Sequence, residues 1–357
     1  MPAHPVIRLA RDAGVSLAVA LAVFTLFELG LRAAAPQLPR LEAAGGDGRA
    51  RPDSLLGHRY APNTRTLHRT PEFRVEYVID AHGRRARASQ PNPDSTAVRI
   101  LVLGDSFTFG DGNAEEDVWL RVMERALGQR GHAVDVVNAG IEGYDTRAEF
   151  LYLRELEPEV RPDVVVLAFL ANDVYTNTRL DAPAPGSAAE HRSRRFALHA
   201  VEWARRMAMR SDRVYTRLFL LSSRRKYYAV PPDDRVAGQI ELTGELVLGM
   251  EAYCRERGIA LVVVSIPQQF AVIARAHGWE FPGVDPGHID ARLEALARER
   301  GFPWVEALPR LADEYRENGA DLFYRADGHL TRDGNLVVGR LAADALEPVV
   351  ARRPRAR

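Results

Sequence analysis

The chain opens on a block of apolar residues. Positions 13–31 read AGVSLAVALAVFTLFELGL, with Glu28 as the one ionisable residue inside. Nineteen helical residues rise about 28 Å, close to the thickness of a hydrocarbon core. Glu28 lies near the end of the block, where it can reach lipid headgroups. Three structures compete for such a segment. A cleaved signal peptide needs small residues before the cut, which Ala33 and Ala35 supply, but Pro36 would follow the cut and hinder it. A buried core helix fits an almost unbroken apolar run at the N-terminus poorly. The expectation is an uncleaved signal anchor over residues 1–35. Arg8 and Arg11 precede the block, whereas Arg32, Arg40, Arg49 and Arg51 follow it. The positive-inside count therefore does not support an N-terminus-inside topology.

Residues 44–90 are rich in Arg, Pro, Gly and Asn. Alternation over 73–79 predicts one or two β-strands, so 36–95 reads as a linker and a small β lead-in. From residue 98 short apolar runs alternate with helical spacing. Strands are expected at 98–103, 134–137, 163–170 and 259–266, and helices at 117–129, 146–156 and 246–257. Buried strands alternating with helices imply a parallel sheet covered on both faces, an α/β/α three-layer sandwich with a flavodoxin-like sheet. This domain is assigned to residues 96–351. In such folds ligands gather beyond the carboxyl ends of the strands.

Composition narrows the classes. At about 150 residues per domain, 357 residues make one large or two ordinary domains. Cys254 is the single cysteine, so an internal disulfide and thiolate zinc sites are excluded. The 48 Lys+Arg balance 48 Asp+Glu, which argues against a dedicated nucleic-acid binder. The charge is unevenly spread, however. Residues 191–226 hold eleven Lys/Arg and two acids, Glu202 and Asp212. This basic stretch falls in an insertion at about 181–232. Its first part, 181–186, is loop-like, and 196–221 has helical apolar spacing at Val201, Ala204, Met207, Val214, Leu218 and Leu221, with Ser211 filling the gap. It reads either as a solvated helix face or as an arm contacting anionic lipid or an acidic glycan, with Arg205, Arg206, Arg210 and Arg213 as the residues to test.

The strand ends carry chemistry. Gly104-Asp105-Ser106 follows the first strand, Asn138-Ala139-Gly140 the second and Asn172-Asp173 the third; Asp327-Gly328-His329 precedes a final helix. Acyl transfer uses this set. An imidazole activates a serine hydroxyl, a carboxylate fixes the imidazole's tautomer, and hydrogen-bond donors hold the oxyanion. The first block is not a phosphate-binding loop, for no Gly-Lys-Ser/Thr follows. Nor is it a Gly-x-Ser-x-Gly elbow, because Thr108 stands where the second glycine belongs.

Together these blocks resemble the SGNH (GDSL-type) hydrolase superfamily, over roughly residues 99–346. The resemblance implies Ser106 as nucleophile, His329 as general base, and an oxyanion hole from the Ser106 and Gly140 backbone amides and the Asn172 side chain. Two positions depart from the pattern. Leu170 replaces the glycine of Gly-x-Asn-Asp, and the aspartate usually three residues before the histidine is here Ala326. Asp327, two before, takes the orienting role, as in membrane-anchored and polysaccharide-acetylating relatives; Asp321 is a weaker substitute, and Asp105 is read as a turn cap. The stretch 77–83 followed by 99–106 resembles bacterial SGNH proteins with an N-terminal anchor, which implies an inner-membrane protein whose catalytic domain faces the periplasm or exterior. The expected activity is O-acyl ester hydrolysis without metal or organic cofactor. An O-acyltransferase acting on an envelope polysaccharide and a catalytically silent envelope-assembly or glycan-binding protein remain as alternatives.

Overall fold

In the computed structural model, residues 5–43, 50–87, 97–180, 197–319 and 321–353 are described. The apolar block forms α1 (Pro5–Ala34), and its side chains face outward: Val15, Leu17, Val19, Leu21, Val23, Leu26 and Leu29 are exposed. α1 is therefore not a core helix. Its segment Asp12–Ala34 is long and apolar enough to cross a membrane.

The lead-in holds more strands than the sequence predicts: β1 (Arg40–Ala43), β2 (Ala50–Asp53), β3 (Gly57–Tyr60), β4 (Arg65–Arg69) and β5 (Arg74–Val78). β1, β4 and β5 form an antiparallel sheet, and β2 pairs with β3. Only β4 and β5 alternate buried and exposed positions over five residues, so only they leave a period-2 signature. Leu56, Tyr60, Phe73, Val75, Tyr77 and Ile79 join the same apolar cluster as the central domain. The lead-in is thus packed onto the central domain.

The central sheet is built from β6 (Val98–Gly104), β7 (Val134–Gly140), β8 (Val164–Leu170), β9 (Ala260–Ile266) and β10 (Trp304–Glu306). Its order is β7-β6-β8-β9-β10 and every pairing is parallel. This is the flavodoxin-like order 2-1-3-4-5. Alternate residues feed two cores. Leu101, Leu103, Val165, Leu167 and Val263 face one side; Ile100, Val102, Val164, Val166 and Val262 face the other. β8 is buried at every position, as a central strand covered on both faces must be.

Helices α2 (Ser106–Phe109), α3 (Trp119–Gln129), α4 (Thr146–Val160) and α5 (Asp173–Thr176) follow the first three strands of this sheet. The insertion forms α6 (His199–Met209) and α7 (Asp212–Leu221), broken at Arg210–Ser211 rather than continuous. The predicted loop at 181–186 lies outside the described residues. α8 (Asp234–Glu256) begins twelve residues before the predicted start at 246, then α9 (Gln269–Ala276), α10 (His288–Arg300), α11 (Leu308–Asn318) and α12 (Arg332–Ala351) complete the chain. Side-chain caps start several of them. Asp145 accepts Ala148 N–H, Asp233 accepts Val236 N–H and Thr331 accepts Gly334 N–H, each satisfying an orphan helix donor worth about 1 kcal/mol.

Glu28 does not point to headgroups. Its carboxylate accepts the backbone N–H groups of His199 at 3.0 Å and Ala200 at 2.7 Å, capping α6, and Arg32 Nε donates to it at 2.7 Å. Gln37 N–H donates to His199 Nδ1 at 2.9 Å. The end of α1 is therefore joined to the insertion.

Candidate active site

The sheet order reverses at β6. The neighbouring loops after β6 and β8 lie at the switch point, where such sheets bind ligands. The first carries Ser106 and the second Asn172. Asp105 caps the short helix α2: its Oδ1 accepts Phe107 N–H at 2.9 Å. Gly110 closes α2 in a left-handed conformation, its N–H donating to Ser106 O. Ser106 sits at the first helical position, where backbone N–H groups have no intrahelical partner.

Three side chains from two distant segments meet here. His329 Nε2 lies 2.7 Å from Ser106 Oγ, and His329 Nδ1 lies 2.5 Å from Asp327 Oδ1. Phe107 packs on the imidazole, with ring centroids 4.9 Å apart. Burial works to lower the His329 pKa, but the Asp327 hydrogen bond and the charges of Asp111, Asp327 and Asp105 outweigh it and push it up to about 9. The two-residue spacing thus brings the carboxylate to the ring. Asp321 lies instead against Arg325, at 3.3 Å.

The donors are arranged less simply. Asn172 Nδ2 donates to Asp105 Oδ2 at 3.3 Å, which orients the amide and leaves its second N–H available. Asp105 therefore both caps α2 and aims Asn172. Gly140 N–H donates to Asn138 Oδ1 at 2.9 Å, while Asn138 Nδ2 donates to Thr108 O at 3.0 Å. The Gly140 amide is thus engaged in this structure, a difference from the expected free donor. The glycine is needed on a second ground: a Cβ there would lie 2.3 Å from Phe109 N and 2.6 Å from Thr108 C. Leu170 is buried at the end of β8, its N–H donating to Asp173 Oδ2 at 3.3 Å.

The loop bearing Asp327 is held by residues that no motif signals. Glu72, from the lead-in, accepts Ala326 N–H and Asp327 N–H, both at 3.0 Å. Arg206 of α6 stands 3.9 Å from Glu72. Asp212 of α7 accepts Arg325 Nη1 at 2.6 Å and Tyr315 OH at 2.8 Å. The loop after α2 is fixed from the lead-in. Buried Arg85 donates from Nη1 to Phe109 O and Gly110 O and from Nη2 to Asn113 O, and Tyr77 OH donates to Asp111 at 2.5 Å. Beneath the site lie Glu149 and Asp173, each 1% exposed. Burial pushes both carboxyls well above the usual range, helped for Glu149 by the charge of Asp173. Among the described residues, no group of three or more His, Cys, Asp or Glu side chains is placed to hold a metal.

A parallel α/β/α sheet with a serine, an imidazole and a carboxylate in line at its switch point has the form of an ester hydrolase. The GDSL-like lipase/acylhydrolase family profile matches residues 102–337, and the chain belongs to that family. An arylesterase from Vibrio mimicus is 35% identical over 75 residues, which span 21% of this chain and 38% of that relative. Among solved structures, an acetyl xylan esterase is similar at 15% identity with a TM-score of 0.45, covering 70% of this chain and all of its own. A lipase/acylhydrolase from Enterococcus faecalis is similar at 16% identity with a TM-score of 0.42, over 72% of this chain and 99% of its own.

Proposed function

We propose that the chain is a serine esterase that cleaves O-acyl esters, O-acetyl esters included, through an acyl-Ser106 intermediate. The observation that carries this reading is the line Ser106 Oγ–His329 Nε2–His329 Nδ1–Asp327 Oδ1, with contacts of 2.7 and 2.5 Å. Ser106 Oγ attacks the ester carbonyl as His329 Nε2 takes its proton, and Asp327 stabilises the imidazolium. The oxyanion is held by Ser106 N–H and the free Asn172 N–H, with Gly140 N–H joining if Asn138 gives it up. His329 returns the proton to the departing alcohol. Water then attacks the acyl-serine, losing its proton to His329, which passes it to Ser106 Oγ as the bond to the acyl carbon breaks and the acid is released. Each oxyanion donor lowers the barrier by about 3 kcal/mol.

The chain is read as an inner-membrane protein held by α1, with the catalytic domain on the extracytoplasmic side. The exposed apolar side chains of α1 support the anchor, and the likeness of the lead-in to anchored bacterial relatives supports the orientation.

Labelling with a fluorophosphonate, followed by hydrolysis of simple esters of increasing acyl length, tests the reading. Wild-type protein should label and Ser106→Ala should lose both labelling and turnover. Turnover retained in Ser106→Ala would overturn it. Acyl transfer to an added glycan in preference to water would replace hydrolysis by the transferase reaction on the same residues.

A further inference from the structure

The insertion helices carry an apolar face on the side away from the core. On α7, Thr216 and Phe219 turn inward, and the Phe219 ring stacks on Phe270 with centroids 4.2 Å apart. The opposite face still shows Val214, Leu218 and Leu221, spaced by four and three residues, and Leu221 is 84% exposed. On α6 and its cap, His199, Ala200 and Glu202 are buried while Leu198, Val201 and Trp203 are exposed, Val201 by 60%. Six large apolar side chains on two adjacent helices exceed the scattered exposures ordinary for a soluble surface.

What covers this face follows from its continuity. Trp203 meets Phe27 of α1 edge-on, with ring centroids 5.5 Å apart. Glu28, one residue on, caps α6. The outward apolar surface of α1 thus runs onto α6. Arg210, Arg213, Arg217, Arg224 and Arg225 are all exposed beside it. Arg205 and Arg206 are not: Arg205 pairs with Glu202, and Arg206 turns toward Glu72. An apolar stripe edged by arginines matches a helix lying in a bilayer interface, its guanidinium groups on lipid phosphates. Tryptophan suits that boundary, being apolar with one polar N–H.

We propose that α6 and α7 lie on the anionic surface of the bilayer that α1 enters, with Leu198, Val201, Trp203, Val214, Leu218 and Leu221 set among the lipids. The proposal rests on reading α1 as the membrane span. It replaces the Arg205–Arg206–Arg210–Arg213 set expected from the sequence with Arg210, Arg213 and Arg217, beside the stripe.

The test uses the full chain reconstituted in phosphatidylcholine vesicles with and without phosphatidylglycerol. Single cysteines at Phe24→Cys, Leu218→Cys, Leu221→Cys and Arg298→Cys, in a Cys254→Ala background, carry an environment-sensitive fluorophore. Quenching is read with nitroxide-bearing lipids. Labels at 24, 218 and 221 should be quenched and the label at 298 should not. The combined Arg210→Gln, Arg213→Gln and Arg217→Gln variant should lose quenching at 221 in the phosphatidylglycerol vesicles while keeping it at 24. Quenching at 24 alone would overturn the surface contact and leave the anchor standing. No quenching at 24 or 221 would overturn both. Hydrolysis of a water-soluble ester should stay unchanged in the arginine variant, which separates lost seating from misfolding.

Discussion

Glu72 accepts the backbone N–H of Asp327 at 3.0 Å, across 255 positions of chain. It also accepts Ala326 N–H at 3.0 Å. One carboxylate from the lead-in thereby sets the loop that carries the orienting aspartate. Asp212 grips the same loop from the insertion side through Arg325 at 2.6 Å. Removing Glu72 leaves two loop donors without their acceptor and lets Asp327 drift from the imidazole. Displacements near 1 Å in a catalytic group cost about 100-fold in rate. Glu72→Ala should therefore lower kcat by roughly ten- to a hundredfold, with KM little changed, and Glu72→Gln should lose less, because its amide oxygen can still accept Asp327 N–H although its NH2 cannot accept Ala326 N–H. A merely structural loss would not move the pH profile. Poor seating of Asp327 should shift the ascending limb of kcat/KM toward lower pH.

That limb has its own expected place. The Asp327 hydrogen bond and nearby carboxylates hold the His329 pKa at about 9. The general base works only as neutral imidazole, so kcat/KM should rise as pH increases through this value, above the usual imidazole range. Asp327→Asn removes the negative charge and leaves a neutral amide, a weaker partner for the imidazolium, so the limb should move down toward about 6.5. The rate on the plateau should fall by about 10⁴, as when a triad carboxylate becomes an amide. The same raised pKa acts on stability. The His329–Asp327 pair adds its full contribution below the unfolded histidine's pKa and loses it as pH rises through about 9.

The oxyanion donors separate in mutagenesis. Asn172→Ala should lower kcat by about 10²–10³. Asp105→Ala should do less, because it frees the Asn172 amide without removing it, but it also removes the cap on Phe107 N–H. Gly140→Ala should fail differently. Its Cβ would meet Phe109 N at 2.3 Å and Thr108 C at 2.6 Å; both are backbone atoms with little room to yield. A loss of roughly 1–3 kcal/mol of stability is expected from such overpacking, visible as a lower Tm together with lost turnover.

The residues that meet at the triad could be read from the sequence because each stands at the end of a buried strand or just before the last helix. Val98–Gly104 and Val164–Leu170 are apolar runs with little ambiguity, and the residues just behind them stand at carboxyl ends of strands, where such folds gather ligands. The clamps could not be read. Glu72, Arg85 and Asp212 act through hydrogen bonds to backbone or side chains far along the chain, and such contacts leave no period. The break between α6 and α7 was hidden for the opposite reason: apolar spacing runs through Arg210 and Ser211 as if the helix continued. Glu28 looked like a charge at a membrane edge because its acceptor role depends on His199 and Ala200, more than 170 positions away.

Glu149 tests how the buried acids beneath the site are held. It is 1% exposed, neither carboxylate oxygen has a hydrogen-bond partner among the described residues, and burial with the nearby charge of Asp173 pushes its pKa well up. A carboxyl whose folded pKa is raised binds more protons in the native state than in the unfolded one. Stability then falls as pH climbs from the unfolded carboxyl's range through the folded value. Glutamine has nearly the shape of the protonated acid and no proton to lose. Glu149→Gln should therefore raise Tm at alkaline pH, where the wild-type side chain must either ionise in the core or hold its proton against the solution. It should change Tm little in acid, where the wild-type group is already neutral. Thermal unfolding of both proteins across a pH series reads the difference directly, and parallel Tm curves would show that Glu149 is ionised and paired in the folded protein after all.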